Sequence, residues 1–257
     1  LTGLNRASTT LLNNKRSKLR ASITRICRTF KDASKATQEQ LLRSLDATLV
    51  FAQEEAGTAV CISPSGLLLT CSHCIADDAA TALDPSNTHW LIFATGVVVR
   101  ATCVAWDPKR DLALLQITDS EPLSPPPSAS TSPTSSSSNT TFPHATISPA
   151  SPPLTYPLVC IGHPGSEDLE APTPGTATGY DVLHVSEGAY YGLSPGQDPQ
   201  DNSDIGALMH DCWTYWGHSG APVLDGRGGG LVGLHSSWDD ETGMRRGVAR
   251  VAVISFL

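Results

Sequence analysis

Three short segments hold the side chains best suited to chemistry: Leu69-Thr70-Cys71-Ser72-His73-Cys74, Asp111-Leu112-Ala113-Leu114-Leu115 and Trp216-Gly217-His218-Ser219-Gly220-Ala221-Pro222-Val223. A serine hydroxyl is a poor nucleophile until a neutral imidazole takes its proton, and a buried carboxylate must orient that imidazole and stabilise its charged form. His73, Asp111 and Ser219 supply these groups in that order along the chain. Ser219 lies in a glycine-rich turn, where the backbone N–H groups of Gly217 and Ser219 are candidates to bind the oxyanion of a tetrahedral intermediate.

Other chemistries compete for the same residues. Gly217-His218-Ser219-Gly220-Ala221 approximates a G-x-S-x-G elbow, but that elbow must lead into a helix and precede its acid and its histidine. Here Pro222, Gly226, Gly228, Gly229 and Gly230 follow, and the best histidine lies upstream, so helix formation fails. Cys71-Ser72-His73-Cys74 has C-x-x-C spacing, as in a redox pair or half a zinc site. A structural zinc site needs two more ligands at matching spacing, and the sequence has no second C-x-x-C and no H-x-x-x-H. No metal or cofactor is therefore expected. His89, His144, His163, His184 and His210 have no partner at catalytic spacing and receive no role, while His218 should diverge from Ser219 as a loop or substrate-facing residue.

These groups need a scaffold. Short apolar or β-branched runs recur between Gly, Pro, Asn and Asp: 48–51, 57–62, 66–70, 90–93 and 97–99, then 158–161, 182–185, 231–235 and 248–255. A helix is expected over 37–46, where Leu41, Leu42 and Leu45 share a face. Many short strands in two blocks predict an all-β protein of two small antiparallel barrels, residues 36–119 and 157–257. Residues 1–35 read as a basic tail, either disordered or an amphipathic helix around Leu11, Leu12, Leu19 and Ile23. Between the blocks, residues 120–156 hold 11 Ser, 6 Thr and 9 Pro, a composition expected to stay disordered. That insertion contains one N-x-T sequon at Asn139.

The motifs taken together resemble the trypsin-like serine peptidases of chymotrypsin double-barrel fold, in the compact branch with HtrA-type and glutamyl-endopeptidase-like enzymes. Gly57-Thr58-Ala59-Val60, Gly66-Leu67-Leu68-Leu69-Thr70 and His73 resemble that family's strand-turn-strand leading to the catalytic histidine. Asp111 to Leu115 resembles its D-[IL]-A-[LV]-L strand, Ile161-Gly162-His163-Pro164-Gly165 its entry to the second barrel, and Gly217 to Val223 its nucleophile loop. Ala221 and His218 depart from the usual Gly and from the usual Asp, Asn or Ser. The resemblance implies two six-stranded barrels with the insertion at their junction, a His73-Asp111-Ser219 triad, and hydrolysis of peptide or protein substrates through an acyl-enzyme. Thr214 and His235 fall where glutamyl endopeptidases hold a substrate carboxylate, implying a preference for acidic residues before the cut. Against this stand an apolar pocket lined by Trp213 and Trp238, and a catalytically idle interaction module.

Composition bounds the rest. The 257 residues carry a net charge of −8, and no run of eighteen apolar residues offers a membrane span. Acidic balance argues against a nucleic-acid-coating protein. The average hides a split: residues 1–35 hold nine Lys or Arg and one acid, net +8, leaving −16 on the remainder. Seven cysteines without a framework of spacings read as free thiols, with Cys61 and Cys160 as buried strand residues. That predicts an intracellular protein, cytoplasmic or nuclear, with a mitochondrial presequence as the other reading of the basic segment. The oligomeric state is open.

Overall fold

A computed structural model of the protein describes residues 4–29, 34–53, 56–122 and 141–257. The first block builds β1 (Thr48–Phe51), β2 (Thr58–Cys61), β3 (Leu67–Thr70), β4 (Thr88–Phe93), β5 (Val98–Asp107) and β6 (Leu112–Ser120). They close a barrel in the order β1-β2-β3-β6-β5-β4. The second block builds β7 (Pro157–Gly162), β8 (His184–Leu193), β9 (Leu208–His210), β10 (Pro222–Asp225), β11 (Leu231–Trp238) and β12 (Arg245–Ala249). These close a second barrel, β10-β11-β12-β9-β8-β7, and every strand pairing in both barrels is antiparallel. Leu49, Leu69, Ile92 and Leu115 fill the first barrel, and their cluster continues into Ile161, Leu224 and Leu234 of the second. One apolar core therefore fixes the two barrels against each other.

The elements outside the barrels differ most from the sequence reading. Arg6–Thr29 is the helix α1, and it belongs to the fold. Leu12, Lys15, Leu19, Ser22 and Ile26 are buried along one face, and Lys15 Nζ donates to Phe51 O at 2.7 Å. Of the expected stripe, Leu12 and Leu19 lie on this face, whereas Leu11 and Ile23 are only half-buried, because a lysine and a serine take part in the inner face. A second helix, α2 (Lys35–Asp46), starts at Ser34, whose Oγ accepts from Thr37 N, and buries Leu41 and Leu45 as expected.

Residues 141–156 correct the expectation of a disordered insertion. Phe142 stacks on Phe93 with centroids 6.0 Å apart, Ala145 N donates to Cys61 O, and Ile147 bridges Leu231. The few apolar residues of the insertion gather at this end, where a composition averaged over the whole stretch hides them. Residues 123–140, with the Asn139 sequon, lie outside the described residues.

The last expected strand is also corrected: β12 ends at Ala249, and Arg250–Phe256 forms helix α4 with Ala252 and Val253 turned inward. A short helix α3 (Ala79–Ala82) precedes β4, capped by Asp78. No helix among the described residues is long and apolar enough to cross a membrane.

Candidate active site

Strand β3 pairs with β6, Thr70 opposite Ala113, so the residues just beyond these strand ends must meet. After Thr70 the chain enters a 3-10 turn, Ser72–Cys74, with extended Cys71 at its cap. Asp111 sits in the turn before β6 with φ 52, a left-handed conformation that Asp tolerates better than most residues. Its Oδ1 accepts from Ser72 N (3.1 Å), Ser72 Oγ (2.9 Å) and His73 N (3.3 Å), which fixes a buried carboxylate. His73 Nδ1 lies 2.9 Å from Oδ1 and 3.1 Å from Oδ2, while the His73 side chain stays half exposed. Burial lowers the His73 pKa, but the hydrogen bond to Asp111 and the interaction with neighbouring Cys74 outweigh it, so the net shift is above the ordinary 6.5.

The Ser219 loop is tied to the first barrel through Thr58. Thr58 N donates to Ser219 O (3.0 Å), Thr58 Oγ1 donates to Gly217 O (3.1 Å), and His163 N donates to Thr58 Oγ1 (3.0 Å). Two glycines allow this close approach. Gly217 (φ +96) and Gly220 (φ +80) are left-handed, and a Cβ on either would collide, with Ala56 and His163 O for Gly217 and with Thr58 O for Gly220. His218 N donates to Tyr215 O, whereas the flanking N–H groups of Gly217 and Ser219 donate to no acceptor among the described residues. Two unspent donors on either side of one peptide are what an oxyanion requires.

His73, Trp216, Gly217, Ser219, His235 and Trp238 line one cleft of about 280 Å³. Ser219 Oγ donates to Ser236 O at 3.3 Å rather than to His73, so the nucleophile and the base share the cleft without a mutual hydrogen bond. Such bonds commonly tighten only when substrate binds.

The two specificity candidates sit differently. His235, 1% exposed, borders the cleft, whereas Thr214, 2% exposed, lies behind the surface with Oγ1 unpartnered among the described residues. His235 Nδ1 lies 3.3 Å from His210 Nε2. His210 has no role in the sequence reading, because β12 separates the strands that carry the pair and nothing in their spacing signals the contact. Burial pushes His210 down to about 3 and His235 well below its ordinary value, so both are neutral.

The expectation that His218 faces loop or substrate is corrected. It is fully buried, in a space that Gly162 leaves open, and burial pushes it to about 3. Trp213 does not line the cleft but stacks against Tyr215, which does, while Trp216 and Trp238 in the lining meet edge to face at 4.6 Å. Asp240 accepts from Trp238 Nε1 at 2.7 Å and holds that indole in place. Cys61, Cys71, Cys74, Cys103, Cys160 and Cys212 are free thiols, and Cys61 and Cys160 are buried as expected.

The family model described as trypsin-like peptidase domain matches residues 57–234, spanning both barrels. No curated protein matches the chain. Among solved structures it is similar to a mutant of Rv3671c from M. tuberculosis H37Rv in an inactive form, at 15% identity and a TM-score of 0.56, covering 84% of this chain and 87% of that one. It is also similar to the serine endoprotease from Yersinia pestis, at 17% identity and a TM-score of 0.58, covering 87% of this chain and 66% of that one. The HtrA-type protease AlgW with decapeptide aligns at 19% identity and a TM-score of 0.52, covering 78% of this chain and 50% of that one.

Proposed function

The chain belongs to the trypsin-like peptidase domain family and is a serine-type endopeptidase, and we propose that Ser219 attacks the scissile carbonyl with His73 as base and Asp111 orienting His73. The hydrogen bond between His73 Nδ1 and Asp111 carries this reading. It leaves Nε2 as the nitrogen free to take the Ser219 proton and then to hand it to the leaving amine. Ser219 Oγ must first leave Ser236 O for His73, which breaks one long hydrogen bond. The N–H groups of Gly217 and Ser219 then receive the oxyanion. The acyl-enzyme predicts a pre-steady-state burst with an activated ester. Absence of a burst from wild type, or a burst that survives in Ser219→Ala, contradicts the assignment.

For specificity, a carboxylate before the scissile bond is the preferred occupant. His210 backs His235, and if His210 donates to His235 Nδ1, then His235 Nε2–H remains to donate into the cleft. A second reading rests on Trp216, Trp238 and Asp240, which line the same cleft and favour an apolar group over an anion. Cleavage of a peptide library separates them. Enrichment of Glu or Asp before the cut, lost in His235→Ala, is expected; enrichment of large apolar residues in both proteins contradicts the acidic reading.

A further inference from the structure

The C-x-x-C segment lacks the partner ligands of a zinc site in sequence, and the fold supplies another. Cys71 Sγ, an imidazole nitrogen of His73 and a carboxylate oxygen of Asp111 all lie within 4.8 Å of one another. Thiolate, imidazole and carboxylate are the three ligand types that zinc takes, at about 2.0–2.3 Å each. Two such atoms on a tetrahedral ion stand about 3.4–3.8 Å apart, so movements of about 1 Å seat it. Cys71 and Asp111 are rigid: Cys71 is fully buried with Sγ 3.5 Å from His235 O, and Asp111 is held by three donors from Ser72 and His73. His73 is the mobile member, half exposed, and it opens onto a cleft of about 470 Å³ that Ser72 and Asp111 also line.

We propose that Zn2+, or another soft divalent cation, binds reversibly between Cys71, His73 and Asp111 and switches the peptidase off. The inhibitory role rests on the triad assigned above; the binding itself does not. His73 Nδ1 faces the carboxylate, so it is the nitrogen that ligates. Binding to neutral His73 replaces the Cys71 S–H bond by S–Zn and releases one proton to solvent, and binding to protonated His73 releases a second from the ring, with no change of oxidation state. Ligation at Nδ1 places the remaining ring proton on Nε2. His73 then presents an N–H to Ser219 and cannot accept the serine proton. A water completes the tetrahedron on the cleft side.

Calorimetric titration of ZnCl2 into the full-length Ser219→Ala protein tests the site without turnover, and is expected to give one ion per chain. Co2+ on the same protein should give a thiolate-to-metal charge-transfer band that zinc displaces. In wild type, Zn2+ should abolish hydrolysis and a chelator should restore it. In Cys71→Ser, the concentration that halves the variant's own zinc-free rate should rise about 10–100-fold. Cys71→Ala serves the same purpose if the serine variant melts early. No stoichiometric binding to Ser219→Ala, a cobalt spectrum without a thiolate band, or equal zinc inhibition of wild type and both Cys71 variants overturns the proposal. If instead the triad is wrong, hydrolysis is lost as a readout while calorimetry and the cobalt band still report on the site.

Discussion

At the scale of single residues, Asp111 is the group on which the rest of the site leans. It accepts the turn's own N–H groups and faces His73 Nδ1, so it sets both the position and the tautomer of the base. Asp111→Asn keeps the shape and turns one acceptor into a donor, and kcat should fall about 10⁴-fold with KM little changed. The same interaction lifts the His73 pKa above 6.5. A general base must be unprotonated, so kcat/KM should be low in acid and rise with pH through an apparent pKa above that value. A limb centred well below 6.5 contradicts the assignment of His73. Ser219, His73 and Asp111 could be nominated from sequence because their residue types and order are constrained by the chemistry, and the structure sets His73 Nδ1 2.9 Å from Asp111 Oδ1. His210 could not be nominated, since its contact with His235 depends on β9 and β11 flanking β12, which no local pattern records.

At the scale of elements, the barrel strands were legible where β-branched runs met Gly, Pro or Asn, as at Thr48–Phe51 and Thr58–Cys61. Strand β5 was read far too short, because a bulge between Cys103 and Ala105 shifts its register and breaks the alternation. Helix α4 was hidden by the β-branched Val251, Val253 and Ile254, which read as strand until Ala252 and Val253 pack on β11 and β12. Helix α1 was one of two readings of its segment, and Lys15 and Ser22 on its buried face obscured how it docks. If α1 is part of the fold, Leu19→Ala should cost about 2–5 kcal/mol in chemical denaturation, while a melt unchanged from wild type contradicts its docking. The second barrel has its own signature. His210 and His218 are held neutral by burial, with pKa values near 3, and His235 is depressed in the same direction. Each is protonated in the unfolded chain below about pH 6.5, so their stability contribution is complete above that pH and is lost as pH falls toward 3. Denaturation midpoints should decline from pH 6.5 downward, less steeply in His210→Gln; a flat profile over that range contradicts the burial of neutral imidazoles.

At the scale of the whole molecule, the net charge of −8 combines two parts that touch. The basic α1 lies along the acidic body, with Arg16 paired to Glu121 and Arg25 to Asp181. The exposed Arg25–Asp181 pair contributes little, about 0–1 kcal/mol, while Arg16–Glu121 is part-buried, so the buried leucines are the main hold on the helix. Charge patterning in the sequence therefore marked the segment correctly and misplaced it, because net charge says nothing about whether one face is apolar enough to dock. Two barrels sharing a core bring His73 from one and Ser219 from the other into a single cleft. The central claim is that this convergence activates Ser219. Treating wild type, His73→Ala and Ser219→Ala with a fluorophosphonate, then locating the adduct by mass spectrometry, tests it directly. One adduct on Ser219 in wild type, absent from Ser219→Ala and strongly slowed in His73→Ala, is the predicted result; no adduct on wild type, or equal labelling of all three proteins, would contradict it.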